Sequence, residues 1–215
     1  FNFTKMIETA LKKDLGLIAI CHMNAFPDSF STKLGQKYCI KMLEWYLSSD
    51  KTFLFHLKIE DKVVGYCGGK VEGALGSGSS TAMMQYSFKQ AIYSMILRPW
   101  LFFNKTMIAN YVIILKNILL KFNIKKKKVS TADKKEINTT ISIGLVVIGV
   151  NNQYKGLGYG SKLLIEFEKR SKSMNAKSIY LSVKTANLSA IRSYSRNGWI
   201  VKRSDNLETK MYKLI

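Results

Sequence analysis

The spacing of apolar residues changes period along this chain, and each change marks an element. From residue 5 to residue 47 the pattern is helical. Asp14 stands as a candidate cap for LGLIAICHMNAF, which puts Leu15, Ile18, Ala19, His22 and Phe26 on one face. Pro27, Asp28 and Ser29 break the run. A second helix is expected over residues 34–47, carrying Tyr38, Met42, Leu43 and Tyr46. TFLFHLKIEDKVVGYCGGKVEG then predicts a β-hairpin that turns at Glu60, Asp61 and Lys62. Gly65, Gly68 and Gly69 in its second arm predict a bulge or a close backbone approach.

After Gly73 the grammar changes. GALGSGSSTA is turn-rich, and helices are expected near residues 82–97 and 106–122, with Pro99 ending the first. Residues 74–135 are expected to form a helical insertion between two strands. This stretch carries Lys89, Arg98, Lys105, Lys116, Lys121, the run Lys125 to Lys128, Lys134 and Lys135, against a single acid, Asp133. The last third is α/β again. ISIGLVVIGV is a continuous apolar run, as in a strand covered on both faces. SKLLIEFEKRSKSMN follows as a helix and SIYLSV as a strand. NLSAIRSYSRNG is a helix opened by Asn187 as N-cap and closed at Gly198. WIVKRS and TKMYKLI complete the set as strands.

The apolar fraction of 47% over 215 residues suits one globular domain, residues 1–215. A formal net charge of +20 does not follow from that class. It fits an anionic small molecule, an anionic membrane surface or nucleic acid, or simply a lysine-rich surface. Cys21, Cys39 and Cys67 are odd in number and scattered, so neither a disulfide scaffold nor a metal site is expected. A reducing, cytoplasmic setting follows, with no unbroken apolar stretch long enough for a spanning helix.

The chemistry concentrates in QYKGLGYGSKLL, where Gly156, Gly158 and Gly160 alternate between a strand and a helix. Such a joint leaves backbone N–H groups pointing outward at a helix start, where an anion can sit against them. Glycines let it approach without meeting a Cβ. By itself the pattern also fits a tight joint with no ligand. A phosphate-binding loop of the GK[ST] type is excluded because no such run follows.

A second motif narrows this. Lys155-Gly156-Leu157-Gly158-Tyr159-Gly160 resembles the [QR]-x-x-G-x-[GA] signature of the GCN5-related N-acetyltransferase (GNAT) superfamily, with lysine in place of Gln or Arg. Asn187, Ala190, Tyr194, Gly198 and Trp199 resemble that family's N-x-x-A-x-x-x-Y-x-x-x-G-[FW] motif at every position. The resemblance is close over residues 140–215 and looser over residues 5–73. It implies an α/β (α+β) fold: a central mixed, mostly antiparallel twisted sheet, splayed between strands 4 and 5 and flanked by helices. The basic helical insertion falls between strands 3 and 4.

The resemblance also implies an acyltransferase that uses acetyl-CoA as donor and no metal. Ile148 and Val150 would pair with the pantetheine arm. Lys155, Gly156, Leu157, Gly158, Tyr159, Gly160 and Ser161 would surround the pyrophosphate. Asn187 would contact the cofactor arm, with a plain helix cap as its other reading. Tyr194 would protonate the departing thiolate. Gly156 falls on a variable position of the signature and is expected to be the glycine that best tolerates alanine. The strand before the signature holds no acid, so Glu72 is the first candidate for general base, with Glu136 and a water chain behind it. His22 and His56 match no motif and are expected to be structural or surface residues.

AFPDSFSTKLG and LRPWLFF resemble acetyltransferases of bacterial surface-polysaccharide synthesis, which implies as acceptor the primary amine of an anionic small molecule such as an amino sugar on a nucleotide or lipid carrier. Transfer would be direct, in a ternary complex. A protein or peptide amine is the alternative within the class. Outside it stand a membrane-surface module, in which Trp100, Phe102, Phe103 and the lysine run would make peripheral contact with the anionic inner membrane face, and a nucleic-acid module, for which no reading motif is present. Homodimer formation is compatible with all of these.

Overall fold

The computed structural model describes residues 5–71, 79–100 and 141–215. Seven strands form one sheet in the order β1-β2-β3-β4-β5-β7-β6. They are β1 (Lys5–Thr9), β2 (Thr52–Ile59), β3 (Lys62–Val71), β4 (Ile141–Val150), β5 (Ala176–Lys184), β6 (Ile200–Ser204) and β7 (Glu208–Leu214). Every neighbouring pair is antiparallel except β4 and β5, which run parallel.

The first strand corrects the helical reading of residues 5–13. KMIET is only five residues long and becomes a strand by pairing along β2, from Lys5 opposite Ile59 to Thr9 opposite Phe55. Asp14 does not cap the following helix, α1 (Leu15–Ala25), through its side chain. Its carboxylate accepts the Leu11 N–H at 2.9 Å and faces Lys58 Nζ at 3.5 Å. The second expected helix is two: α2 (Phe30–Leu34), capped by Ser29, and α3 (Gln36–Glu44). Gly35 separates them at φ +91°, a left-handed value that favours glycine.

The hairpin and its glycines form as expected. On β3, Gly68 opposes Val147 and Gly69 opposes Leu145, so Val146 bulges out of β4. Gly68 lies under Tyr46, and Gly69 under Phe53 and Phe167. Between β3 and β4, the stretch expected as one helix over residues 82–97 is two, α4 (Ser79–Tyr86) and α5 (Phe88–Ile96). They break at Ser87, whose hydroxyl donates to the Met83 carbonyl at 2.8 Å. The helix expected at residues 106–122, Phe102, Phe103 and the lysine run lie outside the described residues.

Helix α6 (Tyr159–Ser173) follows β4, and α7 (Leu188–Arg196) follows β5. Two buried clusters result, one on each face of the sheet. On one side Ile18, Leu43, Tyr46 and Tyr66 join α1 and α3 to the sheet. On the other, Leu163, Phe167, Ile143 and Ile179 join α6 to it.

The feature that positions the site is the β4–β5 pairing. It begins at Ile141 opposite Ala176 and stops at Leu145 opposite Leu181, although both strands run on. β4 keeps its partner β3 on the other edge as far as Val150. The strands therefore part after Leu145, at the Val146 bulge. They leave one edge of Val146–Val150 without a strand to pair with, and a strand edge in that state takes an extended ligand readily.

Candidate active site

A cleft of about 540 Å³ opens where β4 and β5 separate. Its walls include Ile148, Gly149 and Val150 of β4, the glycine joint, Asn187 and Tyr194 at α7, and Ala25 and Phe26 at the end of α1.

The joint has the geometry of an anion cradle. Asn151 starts it by accepting the Gln153 N–H at 3.2 Å, and Lys155 is extended. Gly156 and Gly158 then take φ values of +80° and +78°. Left-handed backbone at alternate residues turns successive N–H groups toward one concave side. α6 begins at once, with its first internal bond from Lys162 N–H to the Gly158 carbonyl at 3.1 Å. Its first turn lies at the positive end of the helix dipole. A Cβ built on Gly156, Gly158 or Gly160 meets no protein atom within 4 Å, so these glycines face open cleft. Gly156 is thus not the tolerant one of the three, because its left-handed φ strains any L side chain. Gly160 is the glycine at an ordinary φ.

Nine of the ten expected cofactor-side residues line this cleft: Ile148, Val150, Lys155, Gly156, Gly158, Tyr159, Gly160, Ser161 and Asn187. Leu157 is the exception, with its side chain exposed away from the wall. Asn187 acts as N-cap, accepting the Ala190 N–H at 3.2 Å while standing in the wall.

Tyr194 also reaches the cleft, from the middle of α7. Its ring packs 6.1 Å from that of the buried Trp199, which explains the aromatic at that motif position. Burial, and then the Cys67 thiol, push the phenol up to about 12. It therefore holds its proton at neutral pH and is a donor there. Glu72 and Glu136 lie outside the described residues, and among the described residues the cleft lining contains no Asp or Glu.

Two arrangements were not legible in the motifs. Asn197 Nδ2 donates to Ser161 Oγ at 3.1 Å and to the Ser193 carbonyl at 2.8 Å, tying the end of α7 to the start of α6. The second lies behind the Phe26 wall. The Thr32 hydroxyl donates to the Phe26 carbonyl at 2.8 Å, and the Ser29 hydroxyl donates to Thr32 Oγ1 at 3.0 Å. Each hydroxyl has one proton, so Ser31 must donate to Ser29 at 2.9 Å. His22 Nε2–H then donates to Ser31 Oγ at 2.7 Å, and His22 Nδ1 accepts the Tyr66 hydroxyl at 2.5 Å. The chain of bonds fixes the histidine tautomer. Burial pushes the imidazole down to about 4, so it is neutral in this role. His22 is structural, as expected, yet it braces a cleft wall. A Cβ built on Gly149 would lie 2.6 Å from Tyr66 Cε1 and 3.0 Å from Phe26 Cε2, so the braced residues pack directly on the β4 wall.

Comparison with known proteins agrees with this geometry. Residues 135–199 match the acetyltransferase (GNAT) family. No curated protein sequence matches the chain. Among solved structures, the chain is similar to an acetyltransferase of the GNAT family from Streptococcus pneumoniae, at 15% identity over 99% of this chain and 100% of that one, with a TM-score of 0.54. It is similar to PaiA N-acetyltransferase from Thermoplasma acidophilum in complex with coenzyme A, at 12% identity over 99% of each chain and a TM-score of 0.55. It is also similar to Arabidopsis thaliana NAA60 in complex with acetyl-CoA, at 13% identity over 99% of each chain and a TM-score of 0.57. At these identities the likenesses establish the fold. Residues 135–199, which hold the parting strand, the glycine cradle and the tyrosine helix, are the part that matches the GNAT acetyltransferase family model, and the chain as a whole has the fold of the GNAT acetyltransferases.

Proposed function

We propose that this chain is an acetyl-CoA-dependent N-acetyltransferase that moves the acetyl group to a primary amine by direct attack in a ternary complex. The observation that carries the reading is the run of groups along one cleft. An unpaired β4 edge leads to a cradle of helix-start amides, and a protonated tyrosine stands on the facing wall. The two relatives solved with coenzyme A or acetyl-CoA support the identity of the donor.

When bound, acetyl-CoA supplies a thioester carbonyl: the amine nitrogen forms the new C–N bond as the C–S bond breaks. The edge of β4 at Ile148 and Val150 holds the amide-bearing arm by backbone hydrogen bonds. The N–H groups of Gly158, Gly160 and Ser161, with Lys155 beside them, hold the pyrophosphate. A backbone N–H at the Val146 bulge polarises the carbonyl. Tyr194 gives its proton to the leaving sulfur and regains one from solvent. Among the described residues the lining carries no carboxylate, so the proton lost by the amine passes to Glu72, the first candidate base, or through a water chain to solvent.

The acceptor enters past Phe26 and the braced α1–α2 connection. The basic character of the insertion supports a phosphate-bearing amine, such as an amino sugar on a nucleotide or lipid carrier. Titration calorimetry with acetyl-CoA tests the donor: binding in the micromolar range is expected, and its absence overturns the reading. Thiol release in the presence of a panel of amino-sugar nucleotides, polyamines and peptide N-termini then ranks the acceptors.

A further inference from the structure

Helix α5 is apolar on two sides, and the protein covers one of them. Ala91 and Met95 pack against the cluster of α1 and α3, and Ser94 is buried with them. The Ser87 hydroxyl at its start meets the Tyr38 hydroxyl of α3, and Arg98 at its end donates to the Lys33 carbonyl at 3.2 Å. These contacts fix the rotation of the helix. On the side turned away stand Ile92, Tyr93, Ile96, Leu97 and Trp100, all exposed, with Ile96 at 69% and Trp100 at 64%. Ile92, Tyr93 and Ile96 share one face of α5 by their spacing, and exposed Leu97 and Trp100 continue the apolar surface just past its end. Exposed Lys89 extends the stripe by one turn. A contiguous exposed apolar face of this kind, with Lys89 at its end, marks an interaction site.

We propose that this stripe docks the protein onto an anionic lipid bilayer, with α5 lying in the headgroup region. Charge chooses the partner. Between Gly73 and Ala132 the sequence contains nine Lys or Arg residues and no Asp or Glu, within a chain of net charge +20. Positive charge spread over sixty residues without a single acid matches an extended anionic surface better than a discrete protein epitope, which would be met by mixed signs. The stripe pairs Tyr93 and Trp100 with Ile92, Ile96 and Leu97, the mixture that suits a water–hydrocarbon boundary. Among the described residues no helix is long and apolar enough to cross a membrane. The inference stands on α5 and does not depend on acetyl-CoA binding in the cleft.

The test is sedimentation of the whole chain with phosphatidylcholine–phosphatidylglycerol vesicles and with pure phosphatidylcholine vesicles. The fluorescence of Trp100 is read alongside; Trp45 and Trp199 are buried, so a change on binding reports the stripe. Cosedimentation with the anionic vesicles alone, with a blue shift of emission, is expected. An Ile96→Glu, Trp100→Glu double variant should lose this binding at least about tenfold while its circular dichroism and acetyl-CoA affinity stay as in the wild type. Cosedimentation that the double variant retains would overturn the proposal in favour of charge alone. Absence of vesicle binding, with either self-association through the stripe or retention on bulk RNA, would overturn it in favour of those partners.

Discussion

Gly160→Ala separates what the fold needs at the cradle from what a ligand needs. The added methyl meets no protein atom within 4 Å, and Gly160 has an ordinary φ within the first turn of α6. The fold should therefore accept it. Replacing glycine by alanine in a helix favours the helix by up to about 1 kcal/mol. In a chain of this size that moves the unfolding midpoint by roughly 2–4 °C upward at most. The open space the methyl enters is the cleft itself. There it keeps a phosphate oxygen off the neighbouring amide. A hydrogen bond to a charged group is worth about 1.5–3 kcal/mol, and each 1.4 kcal/mol is roughly tenfold in affinity. Acetyl-CoA should thus bind about ten- to a hundredfold more weakly to a protein that is no less stable. Calorimetric titration gives the affinity, and thermal unfolding without ligand gives the stability. An affinity within about twofold of wild type would refute the cradle as the pyrophosphate site, whatever the effect on stability. A lowered midpoint would refute the local geometry instead.

Other perturbations follow from the same walls. Gly158→Ala places a side chain at φ +78° and should lower stability by about 1 kcal/mol, seen as a shift of the chemical denaturation midpoint. Gly149→Ala drives a methyl into the Tyr66 and Phe26 rings, one of them fully buried, and should cost about 1–3 kcal/mol by the same assay. Tyr194→Phe should reduce kcat at least about tenfold with little change in acetyl-CoA affinity; an unchanged kcat would remove its acid role. His22 has its folded pKa lowered from 6.5 to about 4, so the unfolded chain takes up the proton first. The stability this contributes is complete above pH 6.5 and is lost as pH falls toward 4, amounting to roughly 3 kcal/mol over that window. Thermal unfolding against pH should show the loss, and His22→Asn should flatten it; parallel slopes would disprove the assignment.

The outcome for individual residues shows which signals were local. Asn187 is an N-cap by its own side chain, and Gly198 closes α7 at φ +81° because only the backbone at that point is involved. Gly69 was readable as a close approach, since an apolar strand gives up side chains when a neighbour fills the place, here Phe53 and Phe167. By contrast, nothing within KMIET separates a strand from a helix turn; β2 lying alongside makes it β1. Gly156 looked dispensable from motif position and is not, because left-handed backbone is a property of the loop's path. His22 carried no motif, since its partners Ser31 and Tyr66 are nine and forty-four residues away.

The sequence by itself determined the elements whose causes lie within a few residues. These are the hairpin, the apolar β4, the glycine joint, the capped α7 and the spacing that ties joint and helix to one family. It also determined the charge, which is a sum over residues. The tertiary structure decided where those elements meet. The parting of β4 from β5 after Leu145 depends on a bulge whose register is set across β3. The Phe26 wall depends on a hydrogen-bond chain from α1 through α2 to β3. The bare stripe of α5 depends on which side α3 had already covered. Caps and turns are decided by short-range sterics and hydrogen bonds, whereas pairing edges, cleft walls and exposed faces are decided by what packs beside them.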